Sequence, residues 1–333
     1  MDFIITIDTE ADNQWARPAR LTTDNTRCIP RFQSLCDRYG FKPTYLCTYE
    51  MVADPLFRQT VGPYQESGRA EIGSHLHPWS TPPFADGEGE GFTHQAFPSE
   101  LPIDLFERKM QHLTEAIASA FSRSPTSYRA GRYGFDASHV AVLEQLGYLV
   151  DCSVAPFMCY AGVQGRPGGC GGPDFRTARP GAYFLDRRDV NRPGDSRLLE
   201  VPITILFPHR PSAWWPRVQQ WLVDHAGSLP ARVLRRCGQA PVWFRPSPGR
   251  TANDLLRVYR VARRSGLPCA EMMFHSSELM PGGSPSFPDA PAIEELYRVL
   301  ERTFEAIASD GAYAVTLTEF RERYRGTAPR AWP

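Results

Sequence analysis

Short apolar, β-branched runs alternate along this chain with longer stretches whose apolar residues recur every three or four positions. FIITID (3–8), PTYLCT (43–48), RAEIGSHLH (69–77), SYRAG (127–131) and YLVDCSV (148–154) read as strands. Later strands are expected at PVWFRP (241–246), CAEMMFH (269–275) and AYAVTL (312–317). Helical periodicity falls on 27–40, 103–122, 138–148, 251–265 and 291–309. In 103–122, for example, Leu105, Met110, Leu113, Ile117 and Phe121 share one face. Alternation of this kind requires parallel strands joined by crossover helices. We expect an α/β fold, a distorted (β/α) barrel of about seven parallel strands, with a doubly wound open sheet as the alternative. The Gly- and Pro-rich stretch 161–197 breaks the rhythm. It marks an insertion, taken as about 155–205, in a single domain spanning 1–333. We expect the insertion to cover the active face, with a β-hairpin through 182–186 and 197–203.

In either architecture chemistry gathers at the carboxyl ends of the strands. The polar residues found there are Asp8 and Glu10, His75 and His77, Arg129, Asp151 and His275. Residues two apart on a strand point the same way, so Asp8 and Glu10 share a face, as do His75 and His77. Two neutral imidazoles and a carboxylate, with one position left for water, form the ligand set of a catalytic divalent-metal site. The second carboxylate is then free to accept a proton from that water. Ser276 and Glu278 read as capping residues for the turn after the last of these strands.

Five segments, in order, resemble the motifs of the polysaccharide deacetylase family, also called the NodB-homology domain or carbohydrate esterase family 4. They are TIDTE (6–10), EIGSHLHPW (71–79), RAGRYG (129–134), VDCS (150–153) and MMFHSSEL (272–279). The likeness covers roughly 2–320 and thins across 155–240. It implies hydrolysis of an acetamide to amine and acetate. Asp8 would be the general base, and Glu10, His75 and His77 the metal ligands. Arg129 would orient the base, and the backbone near Tyr133 would hold the oxyanion. His275 would act as the acid, with Asp151 tuning it. The family has its second histidine four residues after the first; here that position is Trp79, and the pair is His-x-His. Asp-x-Glu likewise replaces adjacent aspartates. The His-x-His-Pro-Trp run is similar to a branch associated with lipopolysaccharide and surface-glycan biosynthesis.

Composition narrows the partners. Lys+Arg and Asp+Glu both number 37, which gives no general attraction for nucleic acid or an anionic membrane. No apolar run is long enough for a transmembrane helix. The first residues enter a strand without a leader pattern, and the 8 cysteines form no C-x-x-C pair, so a cytoplasmic protein with reduced thiols is expected. Zinc is the expected metal, with cobalt, nickel, manganese or iron also compatible with the ligands. Trp79, Tyr133 and Phe157 are candidates for lining the pocket. Arg132, Arg166 and Arg176 are candidates for binding a phosphate on a nucleotide- or lipid-linked sugar. Trp214, Trp215 and Trp221 read as helix packing. The expected substrate is an N-acetylated amino sugar or small glycoconjugate. A non-sugar amide, or a non-catalytic glycan-binding barrel, are the alternatives.

Overall fold

A computed structural model of the chain describes residues 1–18, 20–84, 95–207, 221–225, 228–230 and 240–326. Trp214 and Trp215 lie outside the described residues. The strands are β1 (Asp2–Thr9), β2 (Thr44–Cys47), β3 (Glu71–Leu76), β4 (Ser127–Ala130), β5 (Val150–Asp151), β6 (Tyr183–Phe184), β7 (Leu199–Glu200), β8 (Ile205–Leu206), β9 (Val242–Trp243) and β10 (Cys269–His275). Eight of them form one sheet in the order β10-β1-β2-β3-β4-β5-β7-β6. Every pairing in it is parallel except β6 with β7. Past β7 the chain runs on to Thr204, whose Oγ1 accepts the Glu271 N–H of β10 at 2.8 Å. The stretch past β7 thereby reaches β10, and the sheet curls toward a barrel.

The sheet's two faces follow from strand alternation. Phe3, Ile5 and Ile7 of β1 pack outward in the main core with Phe32, Phe41, Phe274 and Phe304. Ile4 packs inward with Leu46, Val150, Val201 and Val315, closing the floor of the curl. Above that floor the same face of β1 carries Thr6 and then Asp8. The interior thus passes from apolar to polar toward the strands' carboxyl ends.

The helices Ile29–Arg38, Ile103–Phe121, Ala137–Gln145, Ala252–Arg264 and Ala290–Ser309 fall where periodicity placed them. Two helices, Tyr49–Ala53 and Pro55–Glu66, were not expected. Pro63 and Gly62 sit inside the second and mask its pattern, while Asp54 caps its start through the Leu56 N–H at 2.9 Å. The strand expected at 312–317 is reduced to a single bridge from Ala314 to Phe3, and Thr316 caps the helix Leu317–Arg323. The strand expected at 241–246 shortens to β9, which pairs antiparallel with β8 outside the main sheet. The hairpin of the insertion extends the sheet edge as β6 and β7, while the segment around Tyr160 and Val163 reaches the rim.

Candidate active site

At the carboxyl end of the curl lies a cavity of about 350 Å³. Register delivers the side chains to it. Asp8 on β1 is level with His275 on β10, and His75 on β3 is level with Arg129 on β4. Glu10 and His77 follow their strands by one residue and continue the same face. His275 is partly exposed and the rest are buried; Asp8, Glu10, His75 and His77 expose no more than 4 %.

Glu10, His75 and His77 each place one donor atom within 4.8 Å of the others. His77 Nε2 is 3.4 Å and His75 Nε2 3.9 Å from Glu10 Oε2. His75 Nδ1 lies 2.9 Å from the Arg129 carbonyl oxygen. A carbonyl can only accept, so Nδ1 carries the proton and Nε2 offers a lone pair toward Glu10. Burial lowers the proton affinity of both rings, His77 well below the ordinary histidine range. Burial also raises Glu10, to about 8. Two neutral imidazoles and a carboxyl group that a cation would ionise match the donor chemistry of a divalent metal. His77 stacks on Trp79 with ring centroids 4.3 Å apart, and Trp79 Nε1 donates to Gln14 Oε1 at 3.1 Å. Gly131 also lies against the ring, where a Cβ would come 2.5 Å from His77 Cδ2. Only glycine lets the β4 turn approach the ring this closely.

Asp8 has a separate environment. Arg129, fully buried, donates from Nη1 to Asp8 Oδ1 at 2.5 Å, from Nη2 to Glu271 Oε1, and from Nε to Cys152 O at 2.9 Å. Burial alone would raise the Asp8 carboxyl, but Arg129, His75 and His275 together hold it below its ordinary value. His275 Nε2 faces Asp8 Oδ2 at 3.9 Å and Glu10 Oε1 at 4.0 Å. Its Nδ1 meets Arg245 Nη2 at 3.0 Å and Glu278 Oε2 at 3.3 Å. That nitrogen accepts from Arg245 in the neutral ring and donates to Glu278 when protonated. Burial would lower the imidazole, but Glu10 and Glu278 carry it above its usual value.

Asp151 stands apart from this group. Val150 and Cys152 join the inward cluster, so Asp151 points to the other face of the sheet, where its carboxylate accepts from Ser153 N–H and Oγ at 3.0 and 2.8 Å. The position next to His275 that was expected for Asp151 is taken by Glu278, with Arg245. Glu278 does cap its turn, through the His275 N–H at 2.9 Å, and contacts the ring as well. Its spacing of three from His275 was a usable signal; Arg245 had none. Glu271 is marked in the sequence as a lone charge within the apolar run CAEMMFH. Arg132 lines the cavity with its guanidinium over the Phe97 ring at 4.0 Å. Tyr133 lines it too, stacked on Tyr160 at 5.7 Å. Both are non-glycine residues in left-handed conformation, at φ 52° and 62°, a costly geometry that concentrates at functional turns. Phe157 packs on Phe207, and Arg176 is forked onto Asp174.

No protein-family model matches the chain, and no curated protein matches it. Among solved structures the chain is similar to a proposed glycoside hydrolase/deacetylase from Parabacteroides distasonis, with TM-score 0.63 and 11% identity over 98% of this chain and 72% of that one. A proposed polysaccharide deacetylase from Mycobacterium smegmatis matches with TM-score 0.51 and 13% identity over 99% and 95%. A 4-alpha-glucanotransferase from Thermococcus litoralis matches with TM-score 0.53 and 11% identity over 98% of this chain but only 39% of that one. At these identities the likeness is one of fold, and the fold is shared by proteins named for different reactions.

Proposed function

We propose that the protein is a metal-dependent hydrolase that removes the acetyl group from an N-acetylated amino sugar or small glycoconjugate. The observation that carries this reading is the buried convergence of Glu10, His75 and His77 beside two further groups, the Asp8–Arg129 pair and His275. The five motifs and the deacetylase-named structural relatives support it. Zinc suits the mixed ligands best; cobalt, nickel, manganese or iron would accept the same set. When bound, the ion supplies Lewis acidity at the rim.

The protein's own residues divide the remaining work. Asp8, kept ionised by Arg129, takes the proton of the water that adds to the acetamide carbonyl carbon. The backbone N–H near Tyr133 meets the oxygen on which charge develops. His275 gives a proton to the nitrogen as the C–N bond breaks, leaving acetate and a free amine. Glu278 steadies the imidazolium and Arg245 sets the ring's orientation. Asp151 takes no part in this scheme. A cytoplasmic location and a place in surface-glycan synthesis go with the proposal, and cell fractionation tests the first.

Elemental analysis of the purified protein should find about one divalent ion per chain, lost in a His75→Ala/His77→Ala variant. Equal metal in both would defeat the assignment. Acetate release should be seen from small N-acetylamino-sugar conjugates, nucleotide- or lipid-linked, and little from chitin or peptidoglycan. Rapid turnover of the polymers would reverse the size claim. Release only from non-sugar acetamides would move the protein to the amidase alternative.

A further inference from the structure

The segment 160–172 forms one wall of the cavity through Tyr160 and Val163, yet it has few apolar anchors of its own. Ala161 to Gln164, Arg166 to Gly168 and Cys170 are all exposed. Its middle, from Arg166 to Gly171, is gathered on one buried carboxylate. Glu100, 5 % exposed, ends the 3₁₀ turn Pro98–Glu100 ahead of the helix Ile103–Phe121. Its Oε2 accepts the Arg166 N–H at 3.0 Å and the Phe97 N–H at 2.9 Å, and its Oε1 accepts the Gly171 N–H at 3.2 Å. The loop's sequence is shaped around that group. A Cβ at Gly165 would come 1.8 Å from Glu100 Oε2, and one at Gly169 2.0 Å from Oε1. Bare backbone therefore lies directly against the carboxylate. The neighbouring walls join the same point. Phe97 is bound through its N–H, Arg132 lies over the Phe97 ring and donates to Gln164 O at 3.2 Å, and Tyr160 stacks on Tyr133.

We infer that Glu100 is a specificity-determining residue: by clamping 160–172 it fixes the outer wall of the cavity and limits the site to a small or chain-end acetamido sugar. This rests on the deacetylase reading for its substrate, but the clamp itself is read independently. Glu100 touches neither the donor set nor Asp8 nor His275, so it acts through the loop. A carboxylate gathering several backbone N–H groups is a strong anchor, and its removal frees a loop that burial does not hold.

The test compares wild type with Glu100→Ala and Glu100→Asp. Hydrogen–deuterium exchange by mass spectrometry reads the loop. Acetate release from N-acetylglucosamine and its oligomers up to the hexasaccharide reads the site. In Glu100→Ala the amides of 163–172 should exchange about tenfold faster or more, while those of helix Ile103–Phe121 keep their protection. The ratio of hexasaccharide to monosaccharide kcat/KM should rise about tenfold, mainly through KM, with metal content unchanged. Glu100→Asp, which keeps the charge on a shorter arm, should fall between. Unchanged loop exchange overturns the clamp. A looser loop with an unchanged length ratio overturns the specificity role. General loss of protection in Glu100→Ala and Glu100→Asp alike would make Glu100 a folding residue and overturn both. If wild type releases acetate from no member, the deacetylase reading fails, and loop exchange alone decides whether Glu100 is the clamp.

Discussion

Replacing Arg129 with methionine removes a cation that is fully buried between Asp8 and Glu271, at similar side-chain volume. Three hydrogen bonds go with it, two of them to carboxylates. The stranded acids expose 2 % and 0 %, so neither is solvated. They are expected to take up protons instead of remaining charged. Holding one such carboxyl neutral at pH 7, when its unfolded pKa is about 4, costs roughly 4 kcal/mol, three units at about 1.4 kcal/mol each. Glu271 is already raised by burial in the native protein, so most of the new cost comes from Asp8. A loss of about 3–5 kcal/mol is therefore expected, a large part of a typical stability of about 5–15 kcal/mol. The sign with pH follows. Asp8 in the native protein has a lowered pKa, and its share of the stability is lost only as pH falls through that value. In Arg129→Met its folded pKa becomes raised, so stability is lost as pH rises above the ordinary carboxylate range. The deficit should thus shrink to about 1–2 kcal/mol near pH 4.5, and adding Glu271→Gln should recover part of it at pH 7.5. Urea unfolding followed by circular dichroism, with chelator present throughout, measures it. A deficit below about 1 kcal/mol at pH 7.5, or one that does not vary with pH, would refute the charge-network argument.

Asp8→Asn should keep the metal, by elemental analysis, and lose about 10²–10⁴-fold in acetate release; retained turnover would remove Asp8 as the base. Lys109, 1 % exposed, donates to Pro78 O at 3.0 Å and Thr81 O at 2.5 Å and so braces the turn that follows His77. Lys109→Met should weaken metal affinity by about tenfold or more, read by competition with a chromophoric chelator; equal affinity would leave Lys109 a packing residue. Burial raises both Asp151 and Glu200, so the stability they permit is lost as pH rises above the ordinary carboxylate range. Glu200→Gln should flatten the alkaline side of the melting-temperature profile, and an unaltered profile would show that the pair is not linked to folding.

β1 to β5 and β10 were legible because each is a short apolar run whose alternation has a partner on both faces. β1 shows this most clearly, with Phe3, Ile5 and Ile7 outward and Ile4, Thr6 and Asp8 inward. The metal-type cluster was legible because the rule that strand ends carry chemistry brought Glu10, His75 and His77 together without coordinates. Helix Pro55–Glu66 was hidden because its stability comes from Phe57 and Val61 packing on the core, which outweighs Gly62 and Pro63. The direction of Asp151 was hidden for a related reason. Its motif is in place, but which face of a two-residue strand points inward depends on neighbours distant in sequence.

By itself the sequence determined the order of elements, the parallel sheet, and the residue types gathered at one rim, because periodicity and strand polarity are local properties. Tertiary structure decided which of those residues meet. Arg245 meets His275, Glu271 shares Arg129 with Asp8, and Glu100 holds a loop more than sixty positions away. Each of these pairings joins a charged group to a partner supplied by curling and register. A buried charge is kept only where such a partner arrives, and no run of residues records in advance which one it will be.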